Sequence, residues 1–200
     1  MRPAAKFISE FVTFSNVDLV LFITGTTGSG KSTAIKELEG FVTGVFPGEH
    51  MRKDKALMTR IARSHNPAAP GFCEAFVRSY VEKEANVHGH VAVDGMPRSE
   101  EQAKWCLSLA KRINKHPIFV VMSADKEIRA KRLHLRGDKA DIMKARLKHD
   151  DQIIQNVLNF MKGRKEYETI EIEFNAEAEK PATPKTEDKV ETNKPTLAGV

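Results

Sequence analysis

Apolar runs rich in β-branched and aromatic residues recur along the chain, and stretches with helical spacing of apolar positions separate them. Residues 17–24 (VDLVLFIT) carry one charge and stop at Gly25, the pattern of a strand buried on both faces. Shorter runs at 41–46 (FVTGVF), 90–95 (HVAVDG) and 117–122 (PIFVVM) predict three more strands. Residues 168–174 (ETIEIEF) alternate apolar and polar, which places a fifth strand at a sheet edge. A helix is expected from Lys31 to about 39, with Gly40 as its stop. Helical pieces without a strand follow over 49–87. Ser99 opens a helix whose inward face is Ala103, Cys106, Leu107, Ala110 and Ile113. Two more helices are expected at 126–135 and 139–162, the second burying Met143, Leu147, Ile154, Val157, Leu158 and Met161. Ahead of the first strand, residues 1–16 place Phe7, Ile8, Phe11 and Val12 on one side of a short helix or arm. Strands alternating with helices predict an α/β fold, a five-stranded parallel sheet with helices on both faces. In such a sheet, ligands bind beyond the carboxyl ends of the strands.

Composition changes this picture only at the edges. The chain has 200 residues, 40% hydrophobic and 30% charged, with a net charge of +5, enough for one domain with a sizeable core. Residues 176–200 hold four lysines against five acids and little apolar content, so a disordered tail is expected and the body carries the positive surplus. Nucleotides satisfy a surplus of that size, and no nucleic-acid partner is expected, because no aromatic-interleaved platform accompanies the basic run at 126–148. Cys73 and Cys106 have no metal-site spacing and are too few for a disulfide framework. No run of about 18 apolar residues crosses a membrane, and residues 1–16 lack an unbroken apolar signal core. A cytoplasmic monomer is the expectation.

The chemistry concentrates after the first strand, in Gly25, Thr26, Thr27, Gly28, Ser29, Gly30, Lys31, Ser32 and Thr33. The spacing is G-x-x-x-x-G-K-S, between a predicted strand and a predicted helix, as in a phosphate-binding loop. The glycines let backbone N–H groups turn towards phosphate oxygens. Lys31 reaches the β- and γ-phosphates, and the Ser32 hydroxyl ligates Mg²⁺. ATP with Mg²⁺ is the expected cofactor pair.

A second motif, Asp94-Gly95-Met96-Pro97-Arg98, follows the third strand and so faces the same sheet edge. Here the chain resembles the nucleoside monophosphate kinases of the adenylate kinase type, whose equivalent reads Asp-Gly-Phe-Pro-Arg. Gly48-Glu49-His50-Met51-Arg52 resembles that family's acceptor segment, Arg132 to Gly137 the start of its lid, and Arg146-Leu147 the helix after the lid. The resemblance covers about 17–174. It implies a P-loop kinase fold over 17–175, with a small helical acceptor-binding insertion at about 48–80 and a short lid at about 132–146. It also implies a nucleoside monophosphate acceptor, gripped by Arg52 and Arg98, and transfer assisted by Lys31, Arg98, Arg132, Arg136 and Arg146. Asp94 would hold a metal-bound water beside Ser32. Phosphoryl transfer between two polyanions is mostly positioning and charge neutralisation, and arginine grips phosphate bidentately.

Two readings compete at Gln102. Ser99-Glu100-Glu101-Gln102 is a capping box, yet Gln102 also stands where the resembling kinases read the acceptor base. Three departures matter. Pro47 replaces a threonine near the acceptor nucleoside, so the base preference does not carry over. Thr27 replaces a proline in the phosphate loop. Asp138 and Asp141 are remnants of a longer lid motif. Two alternatives stay open: a P-loop kinase of a non-nucleotide metabolite, and a nucleotide-binding protein without turnover. His88, His90 and Trp105 read as surface and packing residues rather than as ligands.

Overall fold

The computed structural model describes residues 1–53, 55, 74–75, 77–81, 89–135, 137, 140–162, 164 and 167–174, leaving aside the side chains of 52, 140–146, 148–149, 153 and 174. Most of the expected acceptor-binding insertion, Arg136 and the 176–200 tail lie outside these residues.

Five parallel strands form one sheet in the order β2-β3-β1-β4-β5: β1 Leu19–Gly25, β2 Val42–Val45, β3 His90–Asp94, β4 His116–Ala124 and β5 Glu168–Phe174. The described helices are α1 Pro3–Thr13, α2 Lys31–Glu37, α3 Pro47–Lys53, α4 Glu100–Arg112, α5 Lys126–Leu135 and α6 Ala140–Met161, with a further helical stretch at 77–81. The α/β architecture with an all-parallel sheet is therefore the one the alternating pattern predicts.

The three central strands β1, β3 and β4 are buried over most of their length because each face of the sheet is covered. One face carries Val20, Phe22, Val93, Phe119 and Val121 against Ala103, Cys106 and Leu109 of α4 and Ile154, Val157 and Met161 of α6. The Phe22 and Phe119 rings stack there at 5.4 Å. The other face carries Leu21, Ile23, Val120, Met122 and Ile172 against Ala5, Ile8 and Val12 of α1, Ala34 and Ile35 of α2, and Leu38 at its C-cap. The N-terminal segment is thus a helix built into the second core layer. Truncating a fully buried ring such as Phe22 would destabilise the fold by about 3–5 kcal/mol.

Boundaries moved where backbone geometry outweighs composition. The expected helix from Lys31 ends two residues early, at Glu37, and Gly40 takes a left-handed φ of 93°. β4 extends to His116 despite Pro117, because β5 begins to pair only at Ile118 and the missing N–H leaves no gap on that side. The α4 start is as expected: Ser99 is the N-cap, and its hydroxyl accepts from Gln102 N at 3.2 Å, a contact worth about 1 kcal/mol.

Candidate phosphate-transfer site

β1 lies between β3 and β4, where the chain's winding reverses, so the segments after β1 and β3 meet at one edge. Three hydrogen bonds fasten them. Gly95 N donates to Ile23 O at 2.8 Å. Thr24 Oγ1 donates to Pro97 O at 2.6 Å, and Ser32 Oγ donates to Asp94 Oδ2 at 2.5 Å. The Met96–Pro97 peptide is cis.

The loop itself is shaped by steric demands. Gly25 has φ +139°, and a Cβ there would fall 1.8 Å from the Met122 carbonyl oxygen, so no other residue fits. Gly28, at φ +85°, presses against the Arg129 backbone, whose carbonyl oxygen lies 3.1 Å from where a Cβ would sit. Gly30, at φ 100°, is the N-cap of α2. Lys31 is buried and curls into the loop, donating to Gly25 O at 2.8 Å and Thr26 O at 2.7 Å, with Ser29 Oγ at 3.4 Å. Burial lowers its ammonium pKa to about 8, against the opposing pull of Asp94. A lysine held this way is ready to exchange carbonyl oxygens for phosphate oxygens.

The Ser32–Asp94 pair fits a divalent cation. Both are oxygen donors, the chemistry Mg²⁺ demands. Asp94 Oδ1 is buried with no partner among the described residues, while Oδ2 takes the Ser32 hydroxyl. Among the described residues no cluster of three His, Cys, Asp or Glu could hold a metal by itself. His90 is a structural residue: its Nδ1 accepts from Leu19 N at 3.1 Å.

The arginines fall into different positions. Arg98 is exposed beside the loop edge, its Nε donating to Gly95 O at 3.0 Å. Arg132, on α5, reaches the loop directly, donating to Gly28 O at 3.0 Å and Ser29 O at 3.1 Å. Arg52 stands on α3 and Arg146 on α6, but their side chains, like the whole of Arg136, lie outside the described residues. Gln102, expected to read the acceptor base, sits at the start of α4. It is 2% exposed, and its Oε1 accepts from Arg98 N at 2.8 Å. The side chain thus bonds the backbone just ahead of the Ser99 cap. To read a base, Gln102 would have to give up that bond.

Sequence reasoning missed three residues. Arg129 on α5 is 2% exposed, donates from Nε to Thr27 O at 3.2 Å, and pairs through Nη1 with Asp151 Oδ1 at 2.5 Å. Asp150 Oδ2 accepts from Thr27 N at 2.6 Å. In the sequence, Arg129 is one of many cations between 126 and 148. The adjacent acids Asp150-Asp151, directly after Lys144, Arg146 and Lys148, were the available signal.

Residues 21–155 match the family described as AAA domain (AAA_18). No curated protein matches the chain in sequence. Among solved structures, a chain from the PezAT chromosomal toxin-antitoxin system of the human pathogen Streptococcus pneumoniae is similar, with a TM-score of 0.59 at 14% identity, covering 94% of this chain and 81% of that one. At such identity the likeness is one of fold.

Proposed function

The chain belongs to the AAA domain family of P-loop NTPases, and we propose that it is an ATP-dependent phosphotransferase acting on a nucleoside monophosphate. The observation that carries this reading is the Ser32–Asp94 hydrogen bond, which fastens the Asp94–Arg98 segment to the phosphate loop. That segment ends in Arg98, an exposed guanidinium beside the loop, which can grip the phosphate of an acceptor.

In this reading Lys31 leaves the Gly25 and Thr26 carbonyls for the β- and γ-phosphates. Ser32 and Asp94 would hold Mg²⁺, which when bound neutralises charge on the phosphates and fixes their orientation. Arg98 grips the acceptor phosphate bidentately. Arg132 moves from the Gly28 and Ser29 carbonyls to the transferring group, joined by Arg136 and Arg146; a single such arginine is worth about 10³–10⁵ in rate. The attacking oxygen already belongs to a phosphate, so no general base is needed.

The burial of Gln102 favours a second reading, in which the acceptor has no base for it to recognise. The similar chain comes from a toxin-antitoxin system, so the set of acceptors tested extends beyond nucleotides. The deciding experiment follows the label of γ-labelled ATP onto separate nucleoside monophosphates and onto phosphorylated and unphosphorylated sugars. Label on a nucleoside diphosphate supports the first reading, and label on a sugar the second.

A further inference from the structure

The contacts around Thr27 assign a role to Asp150. We propose that it is a positioning residue, holding the phosphate loop from its outer flank and tying it to α6. The inference rests on the reading that this loop binds a nucleoside triphosphate.

Both polar backbone groups of Thr27 are taken by side chains from outside the loop. Its N–H donates to Asp150 Oδ2 at 2.6 Å, and its carbonyl accepts from Arg129 Nε at 3.2 Å. Arg129 is itself fixed. It is 2% exposed, and Asp151, next to Asp150 in sequence, holds its Nη1 at 2.5 Å. Lys31 meanwhile bonds the carbonyls of Gly25 and Thr26. The loop is therefore gripped by its own lysine on one side and by α5 and α6 on the other.

A carboxylate on a loop N–H has two possible meanings. It either braces the loop, or stands in for a phosphate and must be expelled when one binds. The surroundings decide for the brace. Arg129 and Asp151 border a cleft of about 420 Å³ that is also lined by Asp125, Lys126, Glu171 and Glu173, so its carboxylates outnumber its cations four to two. Carboxylates repel a polyphosphate, so the nucleotide approaches from the side of Lys31. The bond is also part of a network with a buried guanidinium, which an entering ligand does not displace as it would a lone surface side chain. A threonine N–H in this place needs an acceptor, and Asp150 supplies one. Asp150 stands one helical turn after Arg146 on α6, so the loop and the helix that follows the short lid are mechanically joined.

The test uses the full chain with Asp150→Asn, Asp150→Ala, Thr27→Pro and the double variant Thr27→Pro/Asp150→Ala. An asparagine oxygen still accepts from Thr27, so Asp150→Asn should bind Mg-ATP nearly as the parent does. Asp150→Ala should weaken ATP about tenfold, the scale of leaving the Thr27 N–H without an acceptor, and leave the acceptor KM unchanged. Proline has no N–H, so removing Asp150 from the Thr27→Pro protein should change ATP affinity much less than removing it from the parent. Amide exchange gives a readout that needs no nucleotide: the Thr27 N–H should be protected in the parent and exposed in Asp150→Ala. Equal or tighter ATP binding by Asp150→Ala, or an unprotected Thr27 amide in the parent, overturns the inference. A parent that binds no nucleotide but shows the protected amide contradicts the functional reading and leaves the brace standing.

Discussion

Ser32 Oγ and Asp94 Oδ2 are 2.5 Å apart, although 62 residues separate them in the chain. The contact joins the end of the phosphate loop to the end of β3 and leaves Asp94 Oδ1 buried and unpartnered among the described residues. Asp94→Asn keeps a hydrogen bond to Ser32 but removes the charge. Loss of an outer-shell carboxylate of this kind costs about 10–100-fold in metal affinity or activity. A Mg²⁺ titration of turnover should show that shift, while binding of ATP measured without Mg²⁺ stays near the parent value. Equal losses with and without Mg²⁺ would assign Asp94 to the fold alone.

Lys31 supplies a pH dependence. Burial brings its ammonium pKa down to about 8 in the free protein, and bound phosphate favours the charged form. Below that value the lysine is already protonated, and affinity for ATP should be flat. Above it, binding must take up a proton, so affinity should fall as pH rises through about 8. Calorimetric titration in two buffers of different ionisation heat reads the proton uptake directly. Lys31→Ala should bind ATP weakly at every pH and lose this dependence.

Arg98 is exposed beside the loop, and its guanidinium bonds a carbonyl of its own turn. Arg98→Ala should raise the acceptor KM about 10–100-fold, the worth of hydrogen bonds to a charged phosphate, with little change in ATP affinity. A matching loss of ATP affinity would move Arg98 to the donor side.

At the far end of the sheet, His90 stays neutral to accept from Leu19 N–H. Burial lowers its pKa, partly offset by Asp18. A group whose folded pKa is depressed contributes stability above its unfolded value, and that stability is lost as pH falls. Urea midpoints should therefore decline as pH drops below about 6.5, and the decline should shrink in His90→Asn, whose amide oxygen can accept the same bond at every pH.

The sheet was legible because burial on both faces writes continuous apolar runs: residues 17–24 announce β1, and the capping box at Ser99 announces α4. The phosphate loop was legible because its glycines answer a local steric demand, as Gly25 against Met122 shows. The brace on Thr27 was not. Arg129 and Asp150 meet the loop from 102 and 123 residues away, and nothing local distinguishes a buried arginine from a solvated one on a basic helix. Gln102 was ambiguous for a related reason, since one side-chain amide suits both a helix cap and a base edge. In the structure it is buried and bonds Arg98 N.

The central claim is phosphoryl transfer to a nucleoside monophosphate, and its most direct test is ADP formation from Mg-ATP with each ribo- and deoxynucleoside monophosphate offered separately. The account predicts strong stimulation by one or two acceptors, formation of the matching diphosphate, and loss of both in Lys31→Ala. Slow ADP formation that ignores every nucleotide acceptor would contradict it.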